Sequence, residues 1–161
     1  MLQTTRLAGT RGVFVLDRTE RAVDMFRGGH ACCQAVLLAW AADLGLDHDL
    51  AARLAAGFGG SMDLGETCGA VTGAIMVLGL ALCSDDCVSD EGRAVTVDAV
   101  ASFGERFRSR IGSVDCPDII GCDLRTSAGT AEAIEHGLFA SKCAPAVRAA
   151  AEILADMLPP S

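Results

Sequence analysis

From Gly69 to Cys83 the chain carries no charged residue and no proline, and its apolar residues cover every face of a helix. Read as a helix over about Thr67 to Leu82, this stretch falls short of the roughly 20 residues needed to cross a bilayer. It must therefore be buried in protein on all sides, which requires other helices wrapped around it. Gly69, Gly73 and Gly79 interrupt it. Each glycine inside a helix costs about 1 kcal/mol against alanine. Three of them predict that neighbouring backbone, or a ligand, approaches closely.

The remaining periodicity is helical nearly throughout. Residues 19–27 form a short amphipathic segment with Ala22, Val23 and Phe26 on one side, closed by Gly28-Gly29. A helix from about His30 to Leu44 presents Cys33, Val36, Leu37, Trp40 and Leu44 as a stripe at helical spacing. Asp47 is a good N-cap for the next helix, where Leu50, Leu54 and Phe58 repeat at every fourth position. Gly57, Gly59 and Gly60 then predict an irregular turn. Residues 91–112 read as a long helix with Val97, Val100, Phe103, Phe107 and Ile111 on one face. Cys116-Pro117-Asp118 opens a short turn or helix, since proline suits a first helical turn. Residues 128–139 and 143–158 complete the set, the last with Val147, Ala150, Ala151, Leu154 and Leu158 facing inward and Pro159-Pro160 as its stop. Val13 to Leu16 is the one brief strand signal. The expected class is all-α: a compact single-domain bundle of six or seven helices around a buried Gly/Ala-rich central helix. Residues 1–18 are expected to be an N-terminal extension and residues 19–161 the helical domain.

A net charge of −8 argues against nucleic acid as a partner, because little here would neutralise phosphates. Asp85-Asp86 and Asp90-Glu91 read as a solvated loop. The Val13 to Leu16 run is too short for the roughly 7–15 apolar residues of a secretory signal. No membrane insertion and a cytoplasmic location are the expectations. The alanine-rich, apolar composition predicts faces left over for self-association into a homo-oligomer.

Eight cysteines in a chain expected to stay in a reducing compartment point to metal or redox chemistry more than to a disulfide framework. Four of them fall where a helix is expected to begin: Cys32, Cys68, Cys116 and Cys143. Unpaired backbone N–H groups and the helix dipole stabilise a thiolate there, and thiolate is both the nucleophilic and the metal-binding form. Cys33 belongs to an apolar stripe and reads as core. Cys83 and Cys87 form a C-x3-C pair able to close a disulfide or help hold a metal. Cys122, six residues beyond Cys116, can serve as a local resolving partner. No C-x-x-C is present, so a thioredoxin-type motif is excluded. His30 reads as a surface histidine beside a glycine turn, with a base or ligand role as the sharper alternative. His48 and His136 read as solvent-facing.

The order Cys32-x-Gln34-Ala35-Val36, Gly59-Gly60, Cys68-Gly69-Ala70-Val71-Thr72-Gly73, Cys116 and Cys143 resembles the redox-active family named for its C…GCAxxG…C…C pattern. The likeness runs from about residue 20 to 158. One departure is that this chain reads Cys68-Gly69-Ala70 where the family label has Gly-Cys-Ala. The resemblance implies a redox or cluster-binding role for Cys32, Cys68, Cys116 and Cys143, with Cys83, Cys87 and Cys122 as extras and a tilt toward electron transfer.

Three functional readings follow. In the first, the chain is a thiol-based redox protein: Cys68 attacks, and Cys116 or Cys143 resolves the mixed disulfide. In the second, Cys32, Cys68, Cys116 and Cys143 hold an iron–sulfur cluster or a zinc ion. In the third, the sulfurs only pack and the chain is a non-catalytic helical adaptor. The physiological redox partner is not legible in the residues.

Overall fold

A computed structural model describes residues 10–83 and 87–158, and for residues 10–17 the backbone alone. Among them are eight α-helices and no strand. The N-terminal nine residues of the expected extension, the Asp85-Asp86 pair and the Pro159-Pro160 stop lie outside the described residues.

The first helix, α1 (Thr10–Arg27), takes in the Val13 to Leu16 run, so the strand signal there is overruled by helix. Gly29, at φ 102°, ends it in a left-handed turn. Next, α2 (Cys32–Ala41) runs on through a tighter turn, Ala42–Leu44, to Gly45. In α3 (His48–Ala56) the Asp47 side chain accepts from the Leu50 N–H at 2.9 Å, the cap that the sequence predicts. Then come α4 (Gly69–Leu82) and α5 (Asp90–Ile111). Asp90 and Glu91 are not loop residues: they form the first turn of α5, where negative charge complements the helix dipole. The chain closes with α6 (Cys116–Ile120), α7 (Ser127–Glu135) and α8 (Ala144–Met157).

Two helices share the centre. α4 packs against α2, α5 and α8, while α2 packs against α1, α3 and α4 and buries eight of its ten residues. The glycines of α4 set that contact. A Cβ built on Gly73 would lie 2.6 Å from the Cys33 carbonyl oxygen, so only a bare backbone fits there. Gly79 meets nothing within 4 Å, and the close approach expected from three glycines is made by Gly69 and Gly73 alone. Trp40, Phe103, Phe107, Leu37 and Leu78 are the largest of the fully buried side chains. Arg148 holds Glu20 through both guanidinium nitrogens, at 2.7 and 3.0 Å, and so ties α8 to α1.

Two expected stripes are corrected. On α3 it is Ala51 and Ala55 that are buried, whereas Leu50 and Leu54 are 53% and 56% exposed. The reason is distance: Cys33 Sγ donates to the Ala55 carbonyl at 3.0 Å and Gln34 Nε2 to the Ala52 carbonyl at 2.9 Å. Backbones so close leave room for alanine and not for leucine. Val97 on α5 is likewise exposed, while Phe103 and Phe107 are buried and stacked at 5.8 Å.

Candidate functional site

A cavity of about 680 Å³ opens where the starts of α2, α4 and α6 meet the approach to α8. Cys32, Cys68, Cys116 and Cys143 all line it, together with Ser61 and His30. Residues far apart in sequence reach one wall by four local devices.

Cys32 is the first residue of α2. Its approach is fixed by Gln34, whose Oε1 accepts from the Ala31 N–H at 3.0 Å. Cys68 is the N-cap of α4 and Cys116 the first residue of α6, with Pro117 behind it. The segments leading to these two cysteines are joined by an antiparallel bridge between Thr67 and Asp115. Within it the Cys68 N–H donates to the Val114 carbonyl at 2.8 Å and the Cys116 N–H to the Glu66 carbonyl at 2.7 Å. Side chains alternate across such a bridge, so both sulfurs leave it on the same side.

Cys143 is not at a free helix start. A π-helical turn, Phe139–Cys143, runs directly into α8, and the Ala144 N–H bonds back five residues to the Phe139 carbonyl. Pro145 has no N–H for the carbonyl four residues earlier, and a widened turn accommodates its ring.

The fourth device is strained. Gly60, Ser61, Met62 and Asp63 all have φ between 53° and 58°, a left-handed turn with three consecutive non-glycine residues. L-residues pay roughly 1–2 kcal/mol each for that conformation. Ser61 is 3% exposed and lines the cavity; its hydroxyl donates to the Gly60 carbonyl and it lies close enough to Cys116 to favour that thiolate. Sequence reasoning missed Ser61; the adjoining Gly59-Gly60 pair marked the turn but not the hydroxyl within it.

The four thiols differ electrostatically. Cys32 and Cys143 act on one another: the neighbouring Cys32 thiol favours the Cys143 thiolate, so Cys143 is lowered while the Cys32 thiol is raised well above its ordinary value. Burial pushes Cys68 up to about 12, although the Ala70 and Val71 backbone N–H groups pull the other way. The low-pKa attacker expected at Cys68 is thus corrected: desolvation outweighs the helix N-terminus. Cys116 is also raised, chiefly by burial, and Ser61 offsets part of the effect.

The other cysteines separate from this group. Cys33 is fully buried, with its thiol pushed up to about 11 by burial. Cys83 and Cys87 are joined as a disulfide, with Cα atoms 5.9 Å apart. Cys122 is half-buried after α6 and does not line the cavity. His30 is half-buried rather than a plain surface residue, and its Nδ1 donates to the Met25 carbonyl at 3.1 Å. His48 and His136 are exposed.

The residues do not fit a single metal ion, zinc included, as they stand. Among the described residues no group of three or more His, Cys, Asp or Glu side chains is placed to hold one metal ion. Nor, among those residues, is any helix long and apolar enough to cross a membrane.

A family pattern matches residues 30–157, most of the chain, and is described as "Putative redox-active protein (C_GCAxxG_C_C)". The chain belongs to this redox-active family. Comparison with curated proteins and with solved structures returns no match. In the family label the cysteine follows the glycine, whereas here Cys68 precedes Gly69. Packing accounts for a bare residue at position 69, where a Cβ would lie 3.1 Å from Cys32 Cβ and 3.2 Å from the Cys33 nitrogen.

Proposed function

We propose that this family member is a dithiol redox protein whose working pair is Cys32 and Cys143. The observation that carries the reading is that both cysteines line one shared cavity, close enough for each to shift the ionisation of the other. In the reduced state Cys143 is the better nucleophile, because the neighbouring Cys32 thiol favours its thiolate. Loss of two electrons and two protons joins the sulfurs. Cys68 and Cys116 lie in the same wall and take part only as secondary partners in exchange. The cytoplasm, where thiols stay reduced, is the compartment this cycle suits.

The test is to reduce the full chain, oxidise it with one equivalent of diamide and map the new disulfide by mass spectrometry. A Cys32–Cys143 link is expected, and it disappears in Cys143→Ser. A chain in which Cys143 remains free once the Cys83–Cys87 disulfide has re-closed, or in which any pair other than that one forms first, overturns the assignment.

A further inference from the structure

The cavity lies within the range of about 300–1,000 Å³ typical of small-ligand sites. Three of its thiols are nearly enclosed, Cys68 at 5%, Cys116 at 8% and Cys143 at 6% exposure. A folded protein presenting a disulfide on its own surface does not reach them, whereas a molecule that enters the cavity does. The wall is apolar over Phe26, Ile119, Ile120, Leu124 and Phe139. It carries a single charge, on Arg27, which also lies in the field of Glu20. With 21 acidic and 13 basic residues overall, the lining residues include Arg27 on the exposed rim and no Asp or Glu.

We propose that the oxidant of the Cys32–Cys143 pair is a low-molecular-weight disulfide bearing a carboxylate, which enters this cavity with its charge toward Arg27. This rests on the dithiol reading above. The Cys143 thiolate attacks one sulfur of the small disulfide. That S–S bond breaks, and the first small thiolate leaves and takes up a proton. Cys32 then loses its proton and attacks Cys143 Sγ in the mixed disulfide, expelling the second small thiolate, which is protonated in turn. Two protein thiols are oxidised to one disulfide, and one small disulfide is reduced to two thiols, so electrons and protons balance.

The test follows thiol release by the reduced full chain from three small disulfides: dithiodiglycolate, an anion; bis(2-hydroxyethyl) disulfide, neutral; and cystamine, a cation. A net charge of −8 favours the cation everywhere except at a locally positive site. Dithiodiglycolate is expected to react at least fivefold faster than cystamine. High salt should narrow the gap. Arg27→Gln should reduce it to within about twofold, Arg27→Lys should retain it, and circular dichroism checks that both variants fold. Equal or reversed rates, or a gap indifferent to Arg27, overturn the proposal. So does a reduced chain that reacts with a protein disulfide and with none of the three small ones. If diamide closes the Cys32–Cys143 bond while the three disulfides react alike, the pair stands and the anionic oxidant falls. If diamide does not close it, both fall.

Discussion

A thiol surrounded by hydrocarbon resists ionisation, and Cys68 illustrates how that effect outweighs a helix N-terminus. The Ala70 and Val71 backbone N–H groups favour its thiolate, yet burial pushes it up to about 12. Cys143 has no free helix end and is nevertheless lowered, because the neighbouring Cys32 thiol favours its thiolate. Among the four cavity cysteines, alkylation of the reduced chain by iodoacetamide at pH 7–8 is therefore expected to modify Cys143 before Cys68, leaving Cys68 untouched until the pH is far higher. Peptide mass spectrometry against time checks this, and faster labelling of Cys68 would contradict it. The sequence allowed the four cysteines to be picked out, because spacing relative to Gly and Pro marks helix starts at Cys32, Cys68 and Cys116, whereas Cys143 was placed at one and instead ends a π turn. Their ranking was not legible. It depends on which sulfur faces which, and on Ser61, which the left-handed turn brings to the wall beside Cys116.

Between elements, the contact of α2 with α4 was the more readable. A helix apolar on every face and interrupted by glycine has to meet another backbone, and Gly73 does so at Cys33. Gly73→Ala is expected to destabilise the fold by about 2–3 kcal/mol through overpacking. Gly79→Ala, which meets open space in the same helix, is expected to stabilise it by up to about 1 kcal/mol. Urea unfolding of the two variants measures both signs. The α3 register was less readable, since Leu50 and Leu54 outrank Ala51 and Ala55 on any hydrophobic scale. What decides is the separation of α3 from α2, bridged by the Cys33 and Gln34 hydrogen bonds to its carbonyls, and spacing within a single helix carries no record of that distance. The π turn before α8 was also hidden, although Pro145 two residues after Cys143 is its chemical cause.

At the level of the whole molecule, buried neutral thiols couple stability to pH. Cys33 and Cys68 have folded values of about 11 and about 12, against an ordinary value of 9.0. Their contribution is complete below pH 9 and is lost as pH rises through the folded values, because the unfolded chain releases those protons first. The reduced protein is expected to lose up to about 1.4 kcal/mol per pH unit for each thiol above pH 9. Urea midpoints between pH 8 and 11 measure the loss, and Cys68→Ala should make the decline shallower. The all-helical class was legible from periodicity, whereas the meeting of four sulfurs was not, because it is made by tertiary contacts. Their wall is assembled from chain as early as Phe26 and as late as Ala144. During synthesis the amino-terminal half emerges first. Cys32 leaves the ribosome long before Cys143, and in that interval it has no Cys143 to pair with. The proposed pair therefore cannot form early: a nascent fragment that ends before Cys143 cannot carry it.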